Sequence, residues 1–393
     1  IITMLKKNLA KFSTNSKDTK GRLFQENEDK NRSVYQRDRD RIIHSAAFRR
    51  LEHKTQVFVH HEGDHYRSRL THTIEVSQIA RTISRSLAID EDLAEAISLA
   101  HDLGHTPFGH AGEEALNISM KNHGGFDHNA HTLRIITYLE KKYGNFDGLN
   151  LSWETLEGIV KHNGPFKKKK FPFAIAEYIK KGMDLELNTW CGPEAQVASL
   201  SDDIAYFSHD IEDGIRAKFF TIEDILEEFT ILKNFRKDLS INKYKTDAKR
   251  TVNEVKRFII SRMINDLITE TKRNISLIKP KSANDVREMR VPLVKFSKKM
   301  NSNIYEIRNF LMSKMYRHWK INIMTTKARR IVADLFKIYY EETDLLPFEW
   351  NLMLTKSDKR YKARVVSDYI AGMTDRFAIR EHQKLFDVTK GWY

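Results

Sequence analysis

Along most of this chain apolar residues recur at intervals of three and four far more often than at two, and only seven prolines and sixteen glycines punctuate its 393 residues. Side chains three or four apart share one face of a helix, so the pattern predicts an all-α fold. In THTIEVSQIARTISRSLAI, His72, Val76, Ile79, Ile83 and Leu87 form one stripe, which should be buried and carry His72 with it. In EDLAEAISLAHDLGH, Leu93, Ala96, Ile97 and Ala100 form a second inward stripe that delivers His101 and Asp102 at its end, where Gly104 is placed to stop the helix. A third helix, EAQVASLSDDIAYFSHDIEDGIRA, puts Asp202, Tyr206 and Asp210 at intervals of four on one stripe.

Between these stripes the pattern changes character. Residues 1–32 are polar and lysine-rich and read as a loosely held arm; helical spacing begins in RDRDRIIHSAAFRRL. A charged, His-rich connection, HHEGDHYRSR, follows, and the lysine run 167–170 is most simply a solvated loop. The organisation expected is an arm (1–32), a helical core (33–220) and a basic helical region (221–393), with breaks at KPKSAND and near DLLPF.

At roughly 100–200 residues per domain, the length suits two lobes. Lysine and arginine number 67 against 53 acidic residues, a formal charge of +14 that favours an anionic partner without naming it. The single cysteine, Cys191, excludes an internal disulfide and fits a reducing compartment. No apolar run approaches the roughly 18 residues of a membrane span, and the start IITMLKKNLAKFS lacks the apolar stretch of a signal peptide, so a soluble cytoplasmic protein is expected.

The stretch HDLGHTPFGH (101–110) crowds three histidines and an aspartate among two glycines and a proline. Such a cluster suits holding a cation and handling protons. Candidate ligands are His72, the His101 and Asp102 pair, and a carboxylate from DDIAY. Two imidazoles and two carboxylates accept manganese, iron, zinc or magnesium without discriminating among them.

The sequence resembles the HD-domain phosphohydrolases, and within them the bacterial branch of the deoxynucleoside triphosphate triphosphohydrolases, often labelled dGTPase-like. The resemblance rests on RDRDRIIHSAAFRRLEHKTQVF, RSRLTHTIEV, HDLGHTPFGHAGE, FDHNA, GIVKHNG, DDIAYFSHDIED and DYIAGMTDRFA, which occur in the family's order over residues 37–378. It implies a divalent metal (magnesium, manganese or iron, with zinc also admissible) on His72, His101, Asp102 and Asp202. Asp202 is preferred over Asp203 because the family's ligand lies four residues before the tyrosine, here Tyr206. The reaction implied cleaves a dNTP between the 5′ oxygen and the α-phosphorus, releasing deoxynucleoside and triphosphate. His110 would donate the proton, with Glu113 orienting it, while His105 and His128 border the α-phosphate. Arg69, Lys161 and, more weakly, His162 would bind phosphate; Tyr206, Gln56 and Asp210 would select the sugar. Partners implied are a dNTP substrate, a dNTP or single-stranded DNA effector, and further copies of the chain in a tetramer or hexamer.

Departures from the family are His131, where glutamine is common, and Asp203, where related animal enzymes have lysine. DYIAGMTDRFA receives no chemistry from its residues, although Tyr369 and Arg376 are candidates to reach a substrate or a partner subunit. Alternative readings are an HD-type phosphodiesterase acting on another nucleotide, and a nucleic-acid-binding nucleotide sensor.

Overall fold

The computed structural model describes residues 9–56, 67–167, 171–233, 235, 248–354 and 358–389, and among them no β-strand occurs. The connection from 57 to 66 and lysines 168–170 lie outside the described residues. In the first half the helices are α1 (Val34–Ile43), α2 (Ala46–Arg50), α3 (Arg69–Leu87), α4 (Glu91–Ala100), α5 (Gly109–Ser119), α6 (His128–Arg134), α7 (Trp153–Lys161), α8 (Phe173–Lys181) and α9 (Pro193–Arg216). In the second half α10 (Ile222–Glu228), α11 (Ala248–Ile278), α12 (Lys298–Leu311), α13 (Trp319–Glu341), α14 (Lys359–Ala371) and α15 (Asp375–Phe386) follow.

The helices that carry the site begin where side chains satisfy free backbone amides. Ser68 caps α3, and the chain leaves that helix through Ala88 in a left-handed conformation (φ 56°). Asp90 caps α4 by accepting from the Leu93 amide at 3.0 Å, and Glu91 and Asp92 add negative charge at the positive end of its dipole. Pro193 opens α9, where its missing N–H is not needed. The two apolar stripes read from the sequence on α3 and α4 are buried, and α3, α4 and α9 pack together so that the polar residues of all three face one another.

Among the described residues three apolar clusters hold the fold. One joins α3 and α9 to α10–α12 through Val76, Ile79, Phe207, Ile259 and Phe310. A second gathers α1, α2, α4 and α6–α8 around Ile42, Ile97, Leu133 and Trp153. The third packs Phe108 and Leu116 of the α5 region against Val332, Tyr369 and Ile370 of α13 and α14. Phe220, at the boundary expected from the sequence, belongs to the first cluster, which draws residues from both sides of it. Residues 9–32 also differ from the loose arm expected. Ser13 and Thr14 bond the buried Glu194 carboxylate at 2.6–2.9 Å, Thr19 bonds Glu154 at 2.6 Å, and Arg22 pairs with buried Asp38. The polar side chains of Ser13, Thr14, Thr19 and Arg22 are thus spent on carboxylates of the helical core.

Candidate active site

Helix α3 brings His72 inward, the last turn of α4 delivers His101 and Asp102, and α9 supplies Asp202 from the opposite side. Ligand atoms of His72, His101 and Asp102 lie within 4.8 Å of one another. Asp202 Oδ1 is 2.8 Å from His72 Nε2 and 3.7 Å from His101 Nε2. Its neighbour Asp203 turns away to pair with Arg308 at 2.9 Å, as the 100° step of a helix demands.

The donor set fits a divalent cation on two grounds. His101 Nδ1 lies 2.6 Å from the Ser98 carbonyl oxygen, to which Nδ1–H donates, so Nε2 is the nitrogen that would face a cation. That Nε2 is buried and makes no hydrogen bond among the described residues, with Asp102 Oδ1 at 3.3 Å and Asp202 Oδ1 at 3.7 Å. A buried nitrogen left idle among carboxylates is expected where a cation is to be bound. Burial opposes protonation of His101, but the Asp102 and Asp202 carboxylates outweigh it and raise the imidazole to about 9. Asp102 shows the reverse balance: burial would raise it, yet His101, Arg69 and His105 hold it well below the ordinary carboxylate range.

Beyond Asp102 the chain turns through Gly104 to Phe108 and re-enters helix at Gly109. Gly104 serves close packing: a Cβ there would sit 2.1 Å from the His128 carbonyl oxygen and 2.4 Å from the Thr132 amide nitrogen. Gly109 (φ 57°) leaves room for Arg69, whose Nη2 would meet a Cβ at 2.8 Å. These two glycines thus admit protein atoms that a side chain would displace.

The turn places His105 with its ring 4.1 Å from that of His128 and its Nδ1 3.0 Å from Asp102 Oδ1. Burial, then Arg69 and His128, keep His105 well below its ordinary value, so it is neutral. His128 Nδ1 bonds Glu113 Oε1 at 2.7 Å, and His110 Nδ1 lies 3.2 Å from Glu113 Oε2. One carboxylate thus orients two imidazoles, and these hydrogen bonds hold it ionised against partial burial. The His110 side chain is 76% exposed, which leaves its Nε2 open to a substrate.

The expected phosphate and sugar contacts are distributed differently. Arg69 is 2% exposed and spends Nη1 on Asp102 Oδ2 at 2.9 Å. Lys161 is fully buried and saturated by Glu157 (2.9 Å), the Glu186 carbonyl (3.0 Å) and Thr189 (2.9 Å), so the structure does not bring it to the site. His162, the weaker candidate, is the one that arrives, with its ring 6.5 Å from His101; burial lowers it to about 4. Gln56 keeps a buried Oε1 without a hydrogen bond among the described residues, beside the turn at Gly109. Tyr206 and Asp210 are joined by Tyr316, whose hydroxyl meets the Tyr206 hydroxyl and donates to the Asp210 carboxylate. Burial, with Asp213 nearby, raises Asp210 well above the ordinary range.

Several residues of this assembly were not anticipated from the sequence. His209 Nδ1 is 3.2 Å from His72 Nδ1, and its Nε2 faces Glu75, forming a carboxylate–histidine–histidine chain behind the candidate ligand. Spacing held a signal, since His209 lies seven residues after Asp202 and Glu75 three after His72, near the faces that carry those residues. Tyr316 had none. His131 is buried with Nδ1 3.5 Å from Asp368 Oδ1, and Tyr369 packs against Tyr339.

An HD domain model matches residues 69–206, which span all four candidate ligands, and a phosphohydrolase-associated domain model matches residues 294–384. A deoxyguanosinetriphosphate triphosphohydrolase-like protein of Parvibaculum lavamentivorans is 52% identical over 385 residues, covering 96% of each chain. Proteins of the same name from Bartonella henselae and Caulobacter vibrioides are 49% and 48% identical, over 97% and 96% of this chain and 96% of each of theirs. The chain therefore belongs to the bacterial deoxyguanosinetriphosphate triphosphohydrolase-like family of HD-domain proteins.

Proposed function

We propose that this protein is a metal-dependent hydrolase that cleaves a dNTP into deoxynucleoside and inorganic triphosphate. The observation that carries this reading is the juxtaposition, across one ten-residue turn, of an idle buried imidazole among carboxylates at His101 and an exposed imidazole oriented by a carboxylate at His110. His72, His101, Asp102 and Asp202 would hold the cation, which when bound lowers the pKa of water and screens the charge that develops on phosphoryl oxygens. Manganese, magnesium or iron, and zinc as well, suit that donor set.

In the reaction a water oxygen bonds to the α-phosphorus while the bond from phosphorus to the 5′ oxygen breaks, so triphosphate leaves with the water oxygen. His110 Nε2 delivers a proton to the departing 5′ oxygen, and the proton lost by water restores it overall. Glu113 holds the His110 ring through Nδ1, the arrangement that keeps a general acid in register. His105, neutral and buried, lines the approach from Asp102 to the His128 ring. Arg69 acts here through Asp102, setting the carboxylate and lending positive potential to the phosphate end. At the sugar end, the Tyr206–Tyr316–Asp210 network offers a ring face and buried polar atoms against which a 2′ hydroxyl would be excluded and a 3′ hydroxyl bound. Within this reading the protein works as a homo-oligomer in the cytoplasm, with a dNTP or single-stranded DNA as effector.

Incubation with each dNTP and rNTP, singly and mixed, plus Mg²⁺ or Mn²⁺, with products separated by ion exchange, tests the proposal. Deoxynucleoside and triphosphate from dNTPs, lost in Asp102→Ala and His110→Ala, are expected. Pyrophosphate and a nucleoside monophosphate as the products would overturn it.

A further inference from the structure

The segment DYIAGMTDRFA lies more than 250 residues from the HDLGHTPFGH turn in sequence, yet its backbone and side chains grip that turn. Asp375, fully buried, accepts from two amides at once: Thr55 N at 3.0 Å on Oδ2 and Phe108 N at 2.9 Å on Oδ1. Lys54, 3% exposed, donates from Nζ to the His105 carbonyl and, at 2.8 Å, to the Ala371 carbonyl. Phe108 is held at φ 63°, a left-handed conformation that an aromatic residue adopts only when its surroundings enforce it. Gly109 follows at φ 57°, and together the two set the direction in which α5 presents His110 and Glu113.

Burying an amine and a carboxylate is a poor means of stability alone, because desolvation is costly; it lowers Lys54 to about 7. What they hold is specific: Lys54 fixes the carbonyl of His105, and Asp375 fixes both the amide before Gly109 and the segment that leads to Gln56. We infer that Lys54 and Asp375 are positioning residues for catalysis, a cross-brace by which the C-terminal region sets the geometry of the 101–110 turn. The inference rests on the reading of that turn as the proton-handling element.

Hydrogen–deuterium exchange and steady-state kinetics on the full-length Asp375→Asn protein test it. Asparagine keeps the shape but offers one acceptor where two amides need two. Exchange should quicken in peptides covering 54–56 and 103–109 while α4 and α9 stay protected, and metal content should be unchanged. With that loosening, kcat should fall about 10- to 100-fold at little change in KM. Lys54→Met, which keeps the apolar stem, should loosen the same turn and carries the test if Asp375→Asn does not fold. Unaltered exchange in the turn with wild-type kcat would overturn the inference, as would exchange quickened uniformly along the chain. If the wild-type protein releases no triphosphate, the functional reading falls, while the exchange comparison still decides whether the brace holds the turn.

Discussion

At the scale of single residues, His101 and the Asp202–Asp203 pair make the sharpest statements. His101 is raised to about 9 without a cation, so below that pH a proton occupies the nitrogen that a cation needs. Metal binding must expel it, and affinity should therefore rise about tenfold per pH unit as the pH is raised toward 9, with proton release. Mn²⁺ titration by calorimetry in buffers of differing ionisation enthalpy measures both quantities; a pH-independent affinity would contradict the assignment. Replacing Asp202 by Asn should weaken that affinity by more than the ~10–100-fold typical of outer partners, and replacing Asp203 by Asn should leave it unchanged. His110→Ala should lower kcat by about 10²- to 10⁴-fold with substrate binding retained, checked by single-turnover kinetics and a direct binding assay. The convergence of His72, His101 and Asp102 was legible in the sequence, because they sit on or end helical stripes, whereas the choice of Asp202 over Asp203 came from the resemblance and its spacing to Tyr206. Lys161 shows the limit: Glu157 stands four residues before it on the same helix, and the two satisfy each other in the core.

At the scale of elements, α3, α4 and α9 were readable because each has one apolar face, and a face fixes which polar residues converge. The turn between α4 and α5 was readable only as composition. What Gly104 and Gly109 do depends on neighbours, α6 and Arg69, that no local period encodes. Gly104→Ala should destabilise the fold by about 1–3 kcal/mol, seen as a lower thermal midpoint, because the added Cβ meets backbone that cannot swing aside. Tyr316 reaches α9 from the turn after α12, and nothing local marks it. Tyr316→Phe removes a hydroxyl bonded to the Asp210 carboxylate and should lower kcat/KM for dNTPs by roughly tenfold, mostly through KM. An unchanged KM would place Tyr316 outside the sugar end.

Over the whole molecule the sequence reading separated an arm, a core and a C-terminal region, whereas three apolar clusters and the Lys54–Asp375 brace tie them together. Such ties join residues hundreds of positions apart, and isolated polar residues on apolar faces leave no periodic trace. Cys191 reports on the integrity of the whole: it is fully buried, and burial pushes its thiol well above the ordinary range. It should resist thiol reagents in the native state and react on unfolding. The central claim, that the site breaks the bond between the α-phosphorus and the 5′ oxygen, is tested most directly by turnover in 18O-labelled water with mass spectrometry of both products. Label is expected in the triphosphate and none in the deoxynucleoside. Label in the deoxynucleoside, or its appearance in a nucleoside monophosphate, would contradict it.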